Sequence, residues 1–94
     1  MLEITRGEQG EILLAGRFDA SQAEVANAVF LGLERAVTVD FARLEYISSA
    51  GLGILLAAQK SLAEKGTGLR LINLRSHIRD IFTISGFDQI FQIE

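Results

Sequence analysis

The stretch from Val39 to Gly53, VDFARLEYISSAGLG, leaves the chain few ways to fold. A hydrophobic run of β-prone residues ends at Asp40, a short polar link follows, and a serine pair then precedes glycine-punctuated residues and the leucine-bearing stretch ILLAAQKSLAEKG. This succession marks a strand that feeds, through a loop, the N-terminus of an amphipathic helix. The first backbone N–H groups of such a helix have no intrahelical partner, so a serine hydroxyl caps them and an anion is stabilised beside them. The rest of the chain reads as scaffold for that corner.

The scaffold can be taken in order. Leu2 to Arg6 alternates apolar and polar, Glu11 to Ala15 is a second short apolar run, and Gly7-Glu8-Gln9-Gly10 between them predicts a β-hairpin. Ser21-Gln22-Ala23-Glu24 has capping-box spacing and predicts a helix from about Gln22 to Leu31 that buries Val25, Ala26, Val29 and Leu33. Ala36 to Phe41 is the next strand, and its near-continuous apolar character fits a strand covered on both faces. The helix after the serines runs from about Ala50 to Lys65, with Leu52, Leu55, Leu56, Leu62 and Ala63 on one stripe, and Gly66-Thr67-Gly68 ends it. Leu69 to Leu74 is a third buried-type strand. A shorter helix follows with Ile78, Ile81 and Phe82 inward and Gly86 just past its end, then Phe87 to Ile93 as a terminal strand or docked tail. The predicted order is β-β-α-β-α-β-α-β, a mixed, mostly parallel α/β sheet covered by helices in one domain over residues 1–94.

Composition removes several classes of function. No cysteine and a single histidine leave no disulfide framework, no thiolate chemistry and no multi-histidine metal site. The apolar runs fall short of the roughly 18 to 20 residues that cross a bilayer, and MLEITRGEQG has no signal-peptide pattern. The expectation is a cytoplasmic protein without a membrane partner or a cofactor. A net charge of -3, with only Arg70, Arg75 and Arg79 as a basic group, argues against direct nucleic-acid binding.

If Ser49 lies at the cap, Gly53 and Ala57 continue the same side of the helix four and eight residues on. Their small side chains let a partner approach the backbone, and Ile54 adds an apolar contact if the core does not claim it. A phosphate on that serine brings about -1.5 to -2 charges and three acceptor oxygens. The helix dipole favours it by up to about 1 kcal/mol. Across a packed interface without a counter-charge, the same group costs several kcal/mol of desolvation. The helix therefore survives while a complex is lost. On spacing alone the serines fit plain caps best, ahead of a regulated serine and of an anion-binding turn.

The stretch VDFARLEYISSAGLGILLAAQKSL, with GRFDAS upstream and LRLINLRSHIRDIFTISGFDQIF downstream, resembles the STAS domain of bacterial anti-sigma factor antagonists over essentially the whole chain. The resemblance implies a non-enzymatic switch. In that family an anti-sigma factor that is also an ATPase-type serine kinase phosphorylates a serine at the start of the second helix; the unphosphorylated antagonist binds it, and a PP2C-like phosphatase resets the system. The family's usual Asp-Ser-Ser-Gly-Leu-Gly falls on Ser48-Ser49-Ala50-Gly51-Leu52-Gly53, which makes Ser49 the implied phosphoacceptor. Ser48 stands in place of the aspartate as a competing acceptor, and Ala50 in place of the second serine. The implied partner surface comprises Asp19, Ser48, Ser49, Gly51, Gly53, Ile54 and Ala57, with Asp19 and Asp40 expected on the same side of the domain. A STAS-like structural partner in a transport or stress-signalling complex, with the serine only a cap, is the alternative. A small-anion or nucleotide sensor is a third reading.

Other features carry less. Asp40 at the end of a buried strand invites comparison with the phosphoacceptor of receiver domains, but the further acidic ligands and lysine that chemistry needs are missing. Gly51-Leu52-Gly53 lacks the lysine and spacing of a phosphate loop, and Ser49 has no histidine partner to make it a nucleophile. His77 reads as a surface or capping residue.

Overall fold

The computed structural model describes residues 1–94. The hairpin strands are β1 (Leu2–Arg6) and β2 (Ile12–Phe18), followed by α1 (Ala23–Leu31), β3 (Val37–Ile47), α2 (Ser49–Ala63), β4 (Leu69–Ile72), α3 (Ser76–Ile84) and the two-residue β5 (Gln92–Ile93). Short 3-10 turns at Ala20–Gln22 and Phe87–Gln89 join β2 to α1 and α3 to β5. The sheet order is β1-β2-β3-β4-β5, with β1 antiparallel to β2 and all later pairs parallel. This is the predicted order of elements.

The helices cover one face of the sheet, not both. Each crossover moves to the next strand in the same direction, and right-handed crossovers that never reverse keep their helices on a single side. Burial follows that geometry. Ile12, Val39 and Leu71 form one cross-strand row and are fully buried, whereas the adjacent row of Leu13, Asp40 and Ile72 is only half-buried. Leu14, Phe41 and Leu69 join the covered side, with Phe30 from α1, Leu55, Ala58 and Leu62 from α2, and Ile78 and Phe82 from α3.

The strand before the serines is much longer than Ala36 to Phe41. Two bulges account for this. Asp40 and Arg43 face Leu13 and Ala15, and Leu44 and Tyr46 face Gly16 and Arg17, so β3 carries an extra residue at each step. The bulges turn a two-residue repeat into spacings of three, and Phe41, Leu44 and Ile47 all reach the core. Residues 42–47, which read as a polar link because of Arg43 and Glu45, are strand.

Helix α1 also departs from expectation. Asp19, not Ser21, is the cap at this turn: its carboxylate accepts from the Ser21 backbone N–H at 3.0 Å, and a 3-10 turn precedes the helix. Val25 is 65% exposed, because Ala26, Phe30 and Leu33 share one stripe and Val25 lies about 100° away from it. The large Phe30 decides which stripe faces the sheet. On α2, Ala63 lies outside the buried stripe and Ile54 within it. The helix ends as predicted, with the Thr67 N–H returning to the Leu62 carbonyl at 3.0 Å. β4 stops two residues early because Asn73 adopts φ 59° and turns the chain away.

Candidate functional site

The serine corner is built where β2 and β3 end together. Phe18 pairs with Ile47, and the Ser48 backbone N–H donates to the Phe18 carbonyl at 2.8 Å, so Asp19 and Ser48 leave the sheet side by side. Ser48 is extended (φ -88°, ψ 170°) and is the N-cap of α2; its Oγ accepts from the Gly51 N–H at 3.1 Å. The Leu52 N–H then closes the first turn on the Ser48 carbonyl at 2.9 Å. Serine and aspartate are comparable N-caps, so Ser48 satisfies this helix end as an aspartate at the same position would.

Ser49 is the first residue of α2 and is exposed, while Ser48 is half-buried. The two serines are therefore not equivalent: one hydroxyl holds the helix end, and the other faces solvent. Gly53 and Ala57 follow Ser49 on the same exposed side, and a Cβ added at Gly53 would meet nothing within 4 Å. Gly51 and Ile54, expected on the partner surface, belong to the core instead. A Cβ at Gly51 would sit 3.0 Å from Phe18 and Ile47, so the glycine lets the first turn settle onto the ends of both strands, and Ile54 is 8% exposed. Their burial leaves a surface of Asp19, Ser48, Ser49, Gly53 and Ala57.

The electrostatics of the corner are simple. No acidic side chain occupies the first turn of α2, so the partial positive charge of its free N–H groups is unopposed from within the helix. Hydrogen bonds from the Ser21 hydroxyl and backbone N–H hold the Asp19 carboxyl below the usual carboxylate range, so it is ionised at neutral pH. Arg17 stacks over the Tyr46 ring at 4.3 Å, a cross-strand pair that the sequence reading did not single out. Pairing of their two strands in register was the missing information.

Asp40 is not part of this corner. It lies seven residues before the strand end, where its Oδ1 accepts from the Ala42 N–H at 2.9 Å and from the Asn73 Nδ2 at 3.1 Å. It braces the first β3 bulge, and the receiver-like reading loses its geometry. His77 Nε2 lies 2.8 Å from the Glu45 carbonyl, in a structural contact. No group of three His, Cys, Asp or Glu residues is placed to hold a metal, and no helix is long and apolar enough to cross a membrane.

The family model described as "Mlab, STAS domain" matches residues 2–93. The chain belongs to the STAS domain family. BtrV of Bordetella bronchiseptica, named as an anti-sigma factor antagonist, is 46% identical over 72 residues; the match covers 77% of this STAS domain and 61% of that relative's length. An anti-sigma-B factor antagonist of Listeria monocytogenes is 32% identical over 88 residues, covering 89% of this chain and 77% of its own length. Among solved structures, the Bacillus cell fate determinant SpoIIAA in its phosphorylated form superposes with a TM-score of 0.71 at 19% identity, covering 100% of this chain and 91% of that one. At that identity the likeness speaks for the fold.

Proposed function

We propose that this STAS domain is an anti-sigma factor antagonist controlled by phosphorylation of Ser49. Unmodified, it binds an anti-sigma factor that is also an ATPase-type serine kinase and so frees the sigma factor. Phosphate on Ser49 releases it, and a PP2C-like phosphatase resets it. It acts in the cytoplasm as a binding partner and substrate, not as an enzyme. The observation that carries this reading is the division of labour at the corner: Ser48 is committed to the cap, and Ser49 is exposed beside a helix N-terminus with Gly53 and Ala57 behind it. The relatives' names and the existence of SpoIIAA in a phosphorylated form support it.

The physical logic is asymmetric. A phosphate at the first helical position sits near free N–H groups and is favourable to the fold by about 0.3 to 1 kcal/mol. Pressed into an interface that fits the small side chains of Gly53 and Ala57, it must lose water without a prepared counter-charge, which costs several kcal/mol. Intact-mass analysis after incubation with ATP and the cognate anti-sigma factor kinase tests the proposal. A gain of one phosphoryl group in the native protein and none in Ser49→Ala is expected; no gain in either defeats the idea.

The replacement of the motif's aspartate and second serine by Ser48 and Ala50 favours one competing reading, a constitutive structural subunit in a transport or stress-signalling complex. Co-purification of unmodified protein and of Ser49→Asp from the native cells separates the two. A switch loses its partner in the variant, and a structural subunit keeps it.

A further inference from the structure

β3 outruns its neighbour. Backbone pairing with β4 covers Val37 to Asp40 opposite Leu69 to Ile72 and then stops, while β3 continues for seven residues to Ile47. Those residues carry the serine corner, and on the β4 side the backbone ladder has ended. Three side chains take over in sequence. Asn73 Nδ2 donates to Asp40 Oδ1 at 3.1 Å, Arg75 Nε donates to the Ala42 carbonyl at 3.2 Å, and His77 Nε2 lies 2.8 Å from the Glu45 carbonyl. Residues 73, 75 and 77 thus march along residues 40, 42 and 45.

We infer that this side-chain ladder, with His77 as its terminal rung, is a positioning device for the phosphoacceptor corner. A strand length paired on one edge only opens more readily than one paired on both, and here that length, held by β2 alone, ends at Ile47, next to Ser48 and Ser49. The Glu45 carbonyl is three residues from the cap. Because its partner is a carbonyl oxygen, His77 Nε2 bears the proton and donates. Arg75 and His77 are exposed and contribute nothing to the apolar core, so their effect is local. α3 is thereby tied to the C-terminal end of β3, just before the cap of α2. The inference rests on Ser49 being the modified residue, but its structural part can be read without any kinase.

Amide hydrogen exchange on the whole protein supplies that reading. The reporters are the Ser48 N–H bonded to Phe18, the Gly51 N–H bonded to Ser48 Oγ, and the Leu52 N–H of the first turn. Removing one such hydrogen bond in His77→Ala should raise exchange at these three by about threefold to tenfold, and Arg75→Ala should act in the same direction. Val39 and Leu71, in the continuous part of the sheet, should not change. His77→Gln, whose amide can donate to the same carbonyl, should restore protection. Unchanged exchange at the three reporters, an equal rise at Val39 and Leu71, or failure of the glutamine to rescue overturns the inference. With the cognate kinase and ATP, the rate of phosphoryl transfer should fall in His77→Ala and recover in His77→Gln. Transfer to neither native protein nor variant, with the exchange pattern as expected, refutes the Ser49 reading and upholds the ladder.

Discussion

Replacing each of the two adjacent serines by alanine should separate folding from signalling. In Ser48→Ala the Gly51 N–H loses its acceptor at a half-buried position. Loss of a serine cap costs about 1 kcal/mol, within a range of about 0.5 to 2. For a domain of this size that lowers the melting temperature by about 4 to 8 °C. Ser49→Ala removes an exposed hydroxyl from a helical position, where alanine is the better helix former by up to about 0.5 kcal/mol. Its stability should be unchanged or slightly raised. Phosphoryl transfer should show the opposite pattern, retained in Ser48→Ala and abolished in Ser49→Ala. Ser48→Asp should recover the lost stability because aspartate caps as well as serine. Urea denaturation followed by circular dichroism measures the first quantity, with an unchanged m-value required so that only stability differs. Intact mass measures the second. A destabilised Ser49→Ala beside a neutral Ser48→Ala would refute the assignment of cap and acceptor.

The same substitution two residues apart should have opposite signs: Gly53→Ala gains about 1 kcal/mol of helix propensity in open space, whereas Gly51→Ala meets Phe18 and Ile47 at 3.0 Å and loses about 1 kcal/mol net once an overpacking cost of about 1 to 3 is set against the same gain. Thermal melts of the two variants test this. Asp19 has a folded-state pKa below its unfolded value, so its contribution to stability is complete above the unfolded pKa of 3.8 and is lost as pH falls through the folded value. The stability difference between native protein and Asp19→Asn should therefore be flat above about pH 5 and change only in acid, as read by denaturation at a series of pH values. Phe82 meets the rings of Phe41, Phe87 and Phe91 edge-on at centroid distances of 6.1, 6.5 and 5.5 Å. Phe82→Ala should cost about 3 to 5 kcal/mol, much of a margin of roughly 5 to 10, and undock β5 first, which exchange at the Glu94 N–H bonded to Leu71 reports.

Local signals were sufficient for much of this molecule. The hairpin glycines, the stops at Gly66 and Gly86, the three helical stretches and the strand-to-helix transition at the serines are legible because each depends on neighbours within a few residues. The side shared by Ser49, Gly53 and Ala57 belongs to the same class, since helical spacing alone puts the three on one exposed side.

Other features needed contacts between distant segments. The full length of β3 depends on bulges against β2, and a bulge leaves no mark in the hydrophobic alternation except an apparent loss of it at Leu44 and Ile47. Which of two neighbouring serines caps the helix depended on the β2 carbonyl that anchors Ser48. Gly51 and Ile54 look available on a helical wheel and are buried, Gly51 over the meeting ends of two strands and Ile54 within the apolar core. Val25 is exposed because Phe30 claims the groove. Sequence determined the kinds of element and the residue types at the corner, because propensity and periodicity act along the chain. Tertiary structure decided which side chains remain at the surface to be read, because burial is a property of what packs across from a residue and not of the residue itself.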